Sequence, residues 1–191
     1  MRQVGLFFGT FNPIHIGHLI LADHFATRAG LDEVWLVVTP QSPFKNRHSL
    51  LDQYLRLDLV HRAVADNPRL RASDIEFKLS APHYTVHTLV HLQEKFPDSR
   101  FSIIMGEDNL VGLTKWKNHE YLLEHHQILV YPRIGQDSAE LLNHPSVRMV
   151  DAPQIEISSS QIRNLLKSGD SVRYLLPESI HDYVVSEQFY R

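Results

Sequence analysis

Two histidines, His15 and His18, stand three residues apart in the stretch Val4-Gly5-Leu6-Phe7-Phe8-Gly9-Thr10-Phe11-Asn12-Pro13-Ile14-His15-Ile16-Gly17-His18. Val4 to Phe8 is an apolar run that reads as a buried strand. Gly9 to Pro13 breaks it with turn formers. From Ile16 onward Leu19, Ala22, Phe25, Ala26 and Ala29 recur at helical spacing. The histidines therefore sit where a strand and a tight loop feed a helix N-terminus. Unpaired backbone N–H groups and the helix dipole make such a junction a phosphate site. Gly9 and Gly17 carry no side chain, so a ligand can come close to the backbone there. Further groups suited to phosphate are Lys45, Ser158 to Ser160, and Arg163, whose planar fork matches phosphate oxygens.

The elements that must position these groups alternate along the chain. Gly30 is a natural stop after the first helix. Val34 to Val38 reads as a second buried strand, followed by a polar loop, Gln41 to His48, that carries Lys45 and Arg47. Ser49 with Asp52 resembles a capping box, with Leu50, Tyr54, Leu57, Val60 and Val64 as the apolar stripe behind it. Leu70 to Leu79 reads as a short strand or extended connection. A helix follows Pro82-His83-Tyr84-Thr85, with Val86, Leu89, Leu92 and Phe96 on one face. Phe101 to Met105 is a strand ended by Gly106, and Asp108 to Asn118 a short helix or turn containing Trp116. A small helix, Glu120 to His125, leads to the strand Ile128 to Tyr131 and the turn Pro132 to Gly135. A helical turn, Ser138 to Asn143, precedes a last strand, Val147 to Val150. Ser158 to Ser160 offer N-cap hydroxyls to a helix that Gly169 ends, and Pro177 suits the first turn of the final helix.

This alternation predicts one α/β domain over residues 1–191: a Rossmann-like parallel sheet with helices on both faces. Ligands in such sheets bind beyond the carboxyl ends of the strands. The loops at Gly9 to His18, Thr39 to Lys45, Gly106 to Asp108 and Ser158 to Arg163 are expected on that one edge. With 43% hydrophobic and 21% charged residues the composition is that of a soluble globular protein. A net charge of −3 gives no electrostatic case for nucleic acid or an anionic membrane as partner. The N-terminal apolar run is too short for a signal peptide or a membrane span. There is no cysteine, which rules out disulfides and thiolate metal sites and fits a cytoplasmic setting. Most of the 13 histidines, among them His91, His119, His125 and His126, stand among polar residues and are expected to be solvated. The sequence leaves a homo-oligomer open.

Gly9-Thr10-Phe11-Asn12-Pro13-Ile14-His15-Ile16-Gly17-His18 resembles the signature of the HxGH nucleotidyltransferases, Rossmann-like enzymes that move a nucleotidyl group from a nucleoside triphosphate to a phosphate-bearing acceptor. Ile157-Ser158-Ser159-Ser160-Gln161-Ile162-Arg163 is similar to that family's second signature, and the Pro-rich loop ending in Lys45 has its counterpart there too. Within the family, Pro82-His83-Tyr84-Thr85 with Thr88 and Leu89 looks like a segment of the bacterial nicotinate mononucleotide adenylyltransferases. So do Ile104 to Leu110 with Lys115-Trp116, and Val172 to Pro177. The resemblance spans nearly the whole chain and implies ATP and nicotinate mononucleotide as substrates.

Nucleotidyl transfer of this kind needs no general base, because the acceptor phosphate is already an anion; positioning and charge stabilisation carry it. The resemblance assigns His15, His18, Lys45 and Arg163 to catalysis. It places Gly9, Thr10, Phe11, Gly17, Gly106, Asp108, Ser158, Ser160 and Arg163 around ATP, and Tyr84, Thr85, Asp108 and Trp116 around the acceptor. Mg²⁺ is expected on the nucleotide, since no carboxylate cluster suits a dedicated site. Four residues depart from the family pattern. Phe8 stands for a common Gly, Asn12 for a common Asp, His83 for Ser and His87 for Asp. Rival readings keep the chemistry with nicotinamide mononucleotide or phosphopantetheine as acceptor, or keep the pocket as a nucleotide sensor without turnover.

Overall fold

The structure is a computed structural model that describes residues 1–40, 50–133 and 139–191. Six parallel strands form one sheet in the order β3-β2-β1-β4-β5-β6. They are β1 (Arg2–Gly9), β2 (Glu33–Val38), β3 (Leu70–Ser73), β4 (Ser99–Gly106), β5 (Ile128–Tyr131) and β6 (Val147–Met149). The order reverses between β1 and β4, so the loops after these two strands diverge and leave a crevice at their carboxyl ends.

Every residue of β2 is buried, as a central parallel strand flanked by two layers requires. Alternate side chains feed two separate cores. Phe7, Val34, Leu36, Val38, Ile104 and Leu129 join one of them. Helices α1 (Ile16–Arg28), α2 (Gln53–Val64), α7 (Ser159–Ser168) and α8 (Glu178–Ser186) supply the rest of that layer. Leu6, Trp35, Val37, Ile103, Met105 and Val130 join the other core. That layer is completed by α3 (Thr85–Lys95), α4 (Glu107–Val111), α5 (His119–His125) and two 3₁₀ turns, Ile75–Lys78 and Leu113–Lys115. A short α6 (Ala139–Leu142) precedes β6.

The expected helix stops hold: Gly30 and Gly169 both adopt φ +78°. Several expectations are corrected. The α2 cap is Asp52 rather than Ser49, whose position lies outside the described residues. Asp52 Oδ1 accepts from the amides of Tyr54 at 2.8 Å and Leu55 at 3.4 Å. The buried face of α2 is Arg56, Leu59, Val60, Ala63 and Val64, not the stripe through Tyr54, which is 64% exposed. Leu70 to Leu79 divides into β3 and a 3₁₀ turn. Pro177 is the N-cap of α8 instead of lying within its first turn. His126 is buried, with Nδ1 bonded to the Phe101 carbonyl at 3.0 Å, because the chain turns inward between α5 and β5. Among the described residues no helix is long and apolar enough to cross a membrane.

Candidate active site

His15 is the N-cap of α1 and only 5% exposed. Its ring stacks on that of His18 with centroids 3.7 Å apart and planes 24° from parallel. The His15 amide donates to His18 Nδ1 at 3.3 Å. An accepted proton at Nδ1 leaves the neutral His18 ring with its own N–H at Nε2. Burial and the nearby Arg133 charge lower the His15 pKa to about 4, so this ring is neutral at physiological pH. His15 therefore adds no cation of its own to the pair.

The loop before the histidines is fixed from several sides. Phe11, at φ 44°, folds its ring edge-on to His18, centroids 5.1 Å apart. A Cβ on Gly9 would stand 3.0 Å from that ring, which is why a glycine suits the end of β1. A Cβ on Gly17 would press on the His15 ring at 3.1 Å. Asn12 Oδ1 accepts from the Leu51 amide at 3.1 Å, a bond that an Asp carboxylate would accept equally, so it does not explain the departure.

The second signature closes onto the first. Arg163 Nη1 donates to the Asn12 carbonyl at 2.8 Å, Arg163 Nη2 to Ser160 Oγ at 3.2 Å, and Ser159 Oγ to the Pro13 carbonyl at 2.9 Å. Ser158 caps α7 by accepting from the Gln161 amide at 3.2 Å. The loop before Ser158 does not follow β6 directly; residues 150–157 intervene. Thr10 offers its carbonyl to Arg56 at 2.6 Å. Lys45 lies outside the described residues.

On the other face, Tyr84 is the N-cap of α3 and Thr85 its first residue. Tyr84, Trp116 and Phe8 are all half-buried and pack against the same core, so the Phe8 departure lies on this side. The Lys117 ammonium sits 4.7 Å over the Tyr84 ring, and His87 meets that ring edge-on. His83 Nδ1 is buried without a hydrogen-bond partner, and burial lowers the ring's pKa. Asp108 stands between the faces, 3.6 Å from Arg133 Nε. A Cβ on Gly106 would collide with Asp108 Oδ1, so this glycine lets Asp108 fold back over the end of β4.

Two arginines were missed in the sequence. Arg133 follows the carboxyl end of β5, its amide donates to Glu107 Oε2 at 3.3 Å, and its charge reaches His15. The strand-end rule applied to β5 would have found it. Arg56 is 1% exposed beneath the first loop, and nothing local marks it. Among the described residues no group of three or more His, Asp or Glu could hold a metal ion.

Residues 6–165 match the family model described as cytidylyltransferase-like. A Flavobacterium psychrophilum protein named "probable nicotinate-nucleotide adenylyltransferase" is 52% identical over 191 residues, 99% of each chain. A Cytophaga hutchinsonii protein of the same name is 50% identical over 98% of each chain. The solved structure of Plasmodium falciparum nicotinic acid mononucleotide adenylyltransferase complexed with NaAD superposes with a TM-score of 0.83. It is 18% identical and covers 100% of this chain and 98% of its own, a likeness of fold. With two full-length relatives at half identity and the family model over most of the sequence, the chain belongs to the cytidylyltransferase-like family and, within it, to the nicotinate-nucleotide adenylyltransferases.

Proposed function

We propose that this protein transfers the adenylyl group of ATP to the phosphate of nicotinate mononucleotide, releasing pyrophosphate and forming deamido-NAD. The observation that carries the site assignment is the closure of α7 onto the histidine loop: Arg163 and Ser159 bond the Asn12 and Pro13 carbonyls just ahead of His15 and His18. One acceptor oxygen attacks the α-phosphorus, and the bond to the β-phosphate oxygen breaks on the opposite side. No proton need be removed from the nucleophile. What the protein supplies is alignment and donors. His18, through Nε2–H, and His15 face the charge that develops on the α-phosphate and on the departing pyrophosphate. Ser160, Arg163 and Lys45 hold the β- and γ-phosphates, and the backbone from Gly9 to Phe11 and at Gly17 lies along the nucleotide.

The arrangement of Tyr84, Thr85, Asp108 and Trp116 supports an acceptor site on the α3 side. Trp116 offers a face to the pyridine ring, and Asp108 at the Gly106 loop orients the ribose. The α3 N-terminus carries unpaired amides and the positive end of its dipole, which suits a carboxylate. Hydrogen bonds to a charged group contribute about 1.5–3 kcal/mol each. One or two of them give a preference for nicotinate over nicotinamide mononucleotide on the order of 10- to 1,000-fold. Mg²⁺ enters with ATP, keeping waters and phosphate oxygens as ligands, and neutralises triphosphate charge when bound. A cytoplasmic location fits these soluble substrates and the cysteine-free sequence.

Pyrophosphate release from ATP, measured against nicotinate mononucleotide, nicotinamide mononucleotide and phosphopantetheine, tests the reading. Nicotinate mononucleotide should give the highest kcat/KM. Equal or better use of the amide would overturn the α3 argument and point to His83 or His87.

A further inference from the structure

Two ionisable side chains lie deeper at this edge than any role in phosphate or pyridine binding requires. Arg56 is 1% exposed and Glu76 2% exposed. They come from opposite faces of the sheet, Arg56 from α2 and Glu76 from the 3₁₀ turn after β3. Arg56 is directed at Thr39, the residue that follows β2, and the turn that carries Glu76 packs against β2. Arg56 Nη1 donates to the Thr39 carbonyl at 2.8 Å and to the Thr10 carbonyl at 2.6 Å. Its Nη2 donates to Pro40 O at 2.7 Å and its Nε to Leu51 O at 2.8 Å. The Thr39 amide donates to Gly9 O at 2.8 Å. On the other face the Thr88 hydroxyl of α3 donates to Glu76 Oε1 at 2.8 Å. The Thr39 and Thr88 hydroxyls both favour the charged form of this carboxyl, although burial outweighs them and raises the Glu76 pKa; its Oε2 is buried without a hydrogen-bond partner.

A buried ion held by main-chain carbonyls is an expensive way to pack a helix, and an apolar side chain of similar volume would commonly serve stability as well or better. What the arrangement adds is geometry. Arg56 ties the loop that presents His15 to the loop that leads toward Lys45, and its planar fork reaches carbonyls from residues 10, 39, 40 and 51 together. Glu76 ties the acceptor helix to the same junction.

We propose that Arg56, Thr39 and Glu76 form one positioning unit that sets the spacing between the ATP-side loops and the acceptor-side helix. It rests on the reading that the start of α3 receives the acceptor. None of the three touches a reacting atom. Their contribution is to keep the attacking phosphate and the α-phosphorus in line, where a displacement of about 1 Å costs up to ~100-fold in rate.

The test is steady-state kinetics on Arg56→Lys, Thr39→Val, Glu76→Gln and the Arg56→Lys/Thr39→Val double variant, with rates referred to folded protein and each substrate's Kd measured separately. Arg56→Lys should lower kcat by roughly 10- to 100-fold. Each Kd should change by less than about threefold, because the binding groups themselves remain. The double variant should lose about as much as Arg56→Lys alone, since members of one unit are not additive. A normal kcat with a lowered melting temperature would make the unit merely structural and overturn the proposal. So would losses confined to the Kd of one substrate, or losses that multiply in the double variant. Should Arg56→Lys fail to fold, Thr39→Val and Glu76→Gln decide, since both keep shape and backbone; unchanged kcat in both overturns it. Absence of wild-type turnover with nicotinate mononucleotide would strike the functional reading instead, and the variants would then be compared with whichever acceptor reacts.

Discussion

Phe7 and Phe8 are neighbours on β1 and face opposite layers. On the Phe7 side the site is cross-linked: His15 and Asn12 are buried, and Arg163 and Ser159 bond the loop between them. On the Phe8 side it is open: Trp116, Tyr84 and Thr85 are only half-buried. The two sides have different tasks. Donors that meet developing charge act only if fixed beforehand, because reorganising them would consume the stabilisation they give. A flat ring can be held by faces and a helix terminus that adjust as it enters. On the proposed assignment, the rigid side should govern turnover and the open side acceptor affinity.

The largest expected effect tests the rigid side. His18→Ala should keep the circular dichroism spectrum and lose roughly 10²–10³ in kcat, the usual cost of one preorganised donor. Near-normal turnover would erase the contrast. His15 gives an effect of similar size on stability. Its folded pKa, about 4, lies below its ordinary 6.5, so the unfolded chain binds the proton more readily. Stability from this group is complete above pH ~6.5 and falls as pH drops toward ~4, by up to about 3 kcal/mol. Urea unfolding from pH 7 to pH 4 should show that slope, and His15→Gln should flatten it. Next comes Arg163→Lys, which keeps charge and loses the fork. The KM for ATP should rise about tenfold, the loss of one or two charge-assisted bonds, while the acceptor KM stays. An equal rise in both would blur the division. On the open side, Trp116→Ala should weaken nicotinate and nicotinamide mononucleotides alike by about 1–1.5 kcal/mol, with kcat held, in titrations of each ligand. Smallest is Lys117→Ala, which removes the cation over Tyr84 and should change acceptor affinity by less than about 1 kcal/mol.

Sequence reasoning reached the site where its signals are local. The Gly9 to His18 loop and the Ser158 cap announce themselves through turn residues, hydroxyls and helical spacing within a few positions, and the structure puts both where they were expected. Arg56 fails that test. An arginine in an amphipathic helix reads as solvated, and it is carbonyls from two distant loop segments, at Thr10 and at Thr39-Pro40, joined by Leu51 just upstream, that make a buried place for it. The same misreading rotated the expected face of α2 toward Tyr54. His126 was hidden for a related reason, since its polar neighbours in sequence are not its neighbours in space. Tyr190 is a further case: its hydroxyl is buried, and the charges of Arg56 and Arg163 both act on it, a meeting of three residues that no periodicity reveals.

The bonds from Ser159 to Pro13 and from Arg163 to Asn12 span 146 and 151 residues of sequence. During synthesis the histidine loop emerges long before the helix that fixes it. Closing so large a loop is entropically unfavourable until the intervening sheet has brought its ends together. A growing chain thus holds the whole first signature while lacking the clamp that orders it, and adenylyl transfer is expected only once α7 has docked. Enzymatic activity in this molecule reports completed folding, and a nascent chain stalled before residue 159 should be silent even with its first three strands in place.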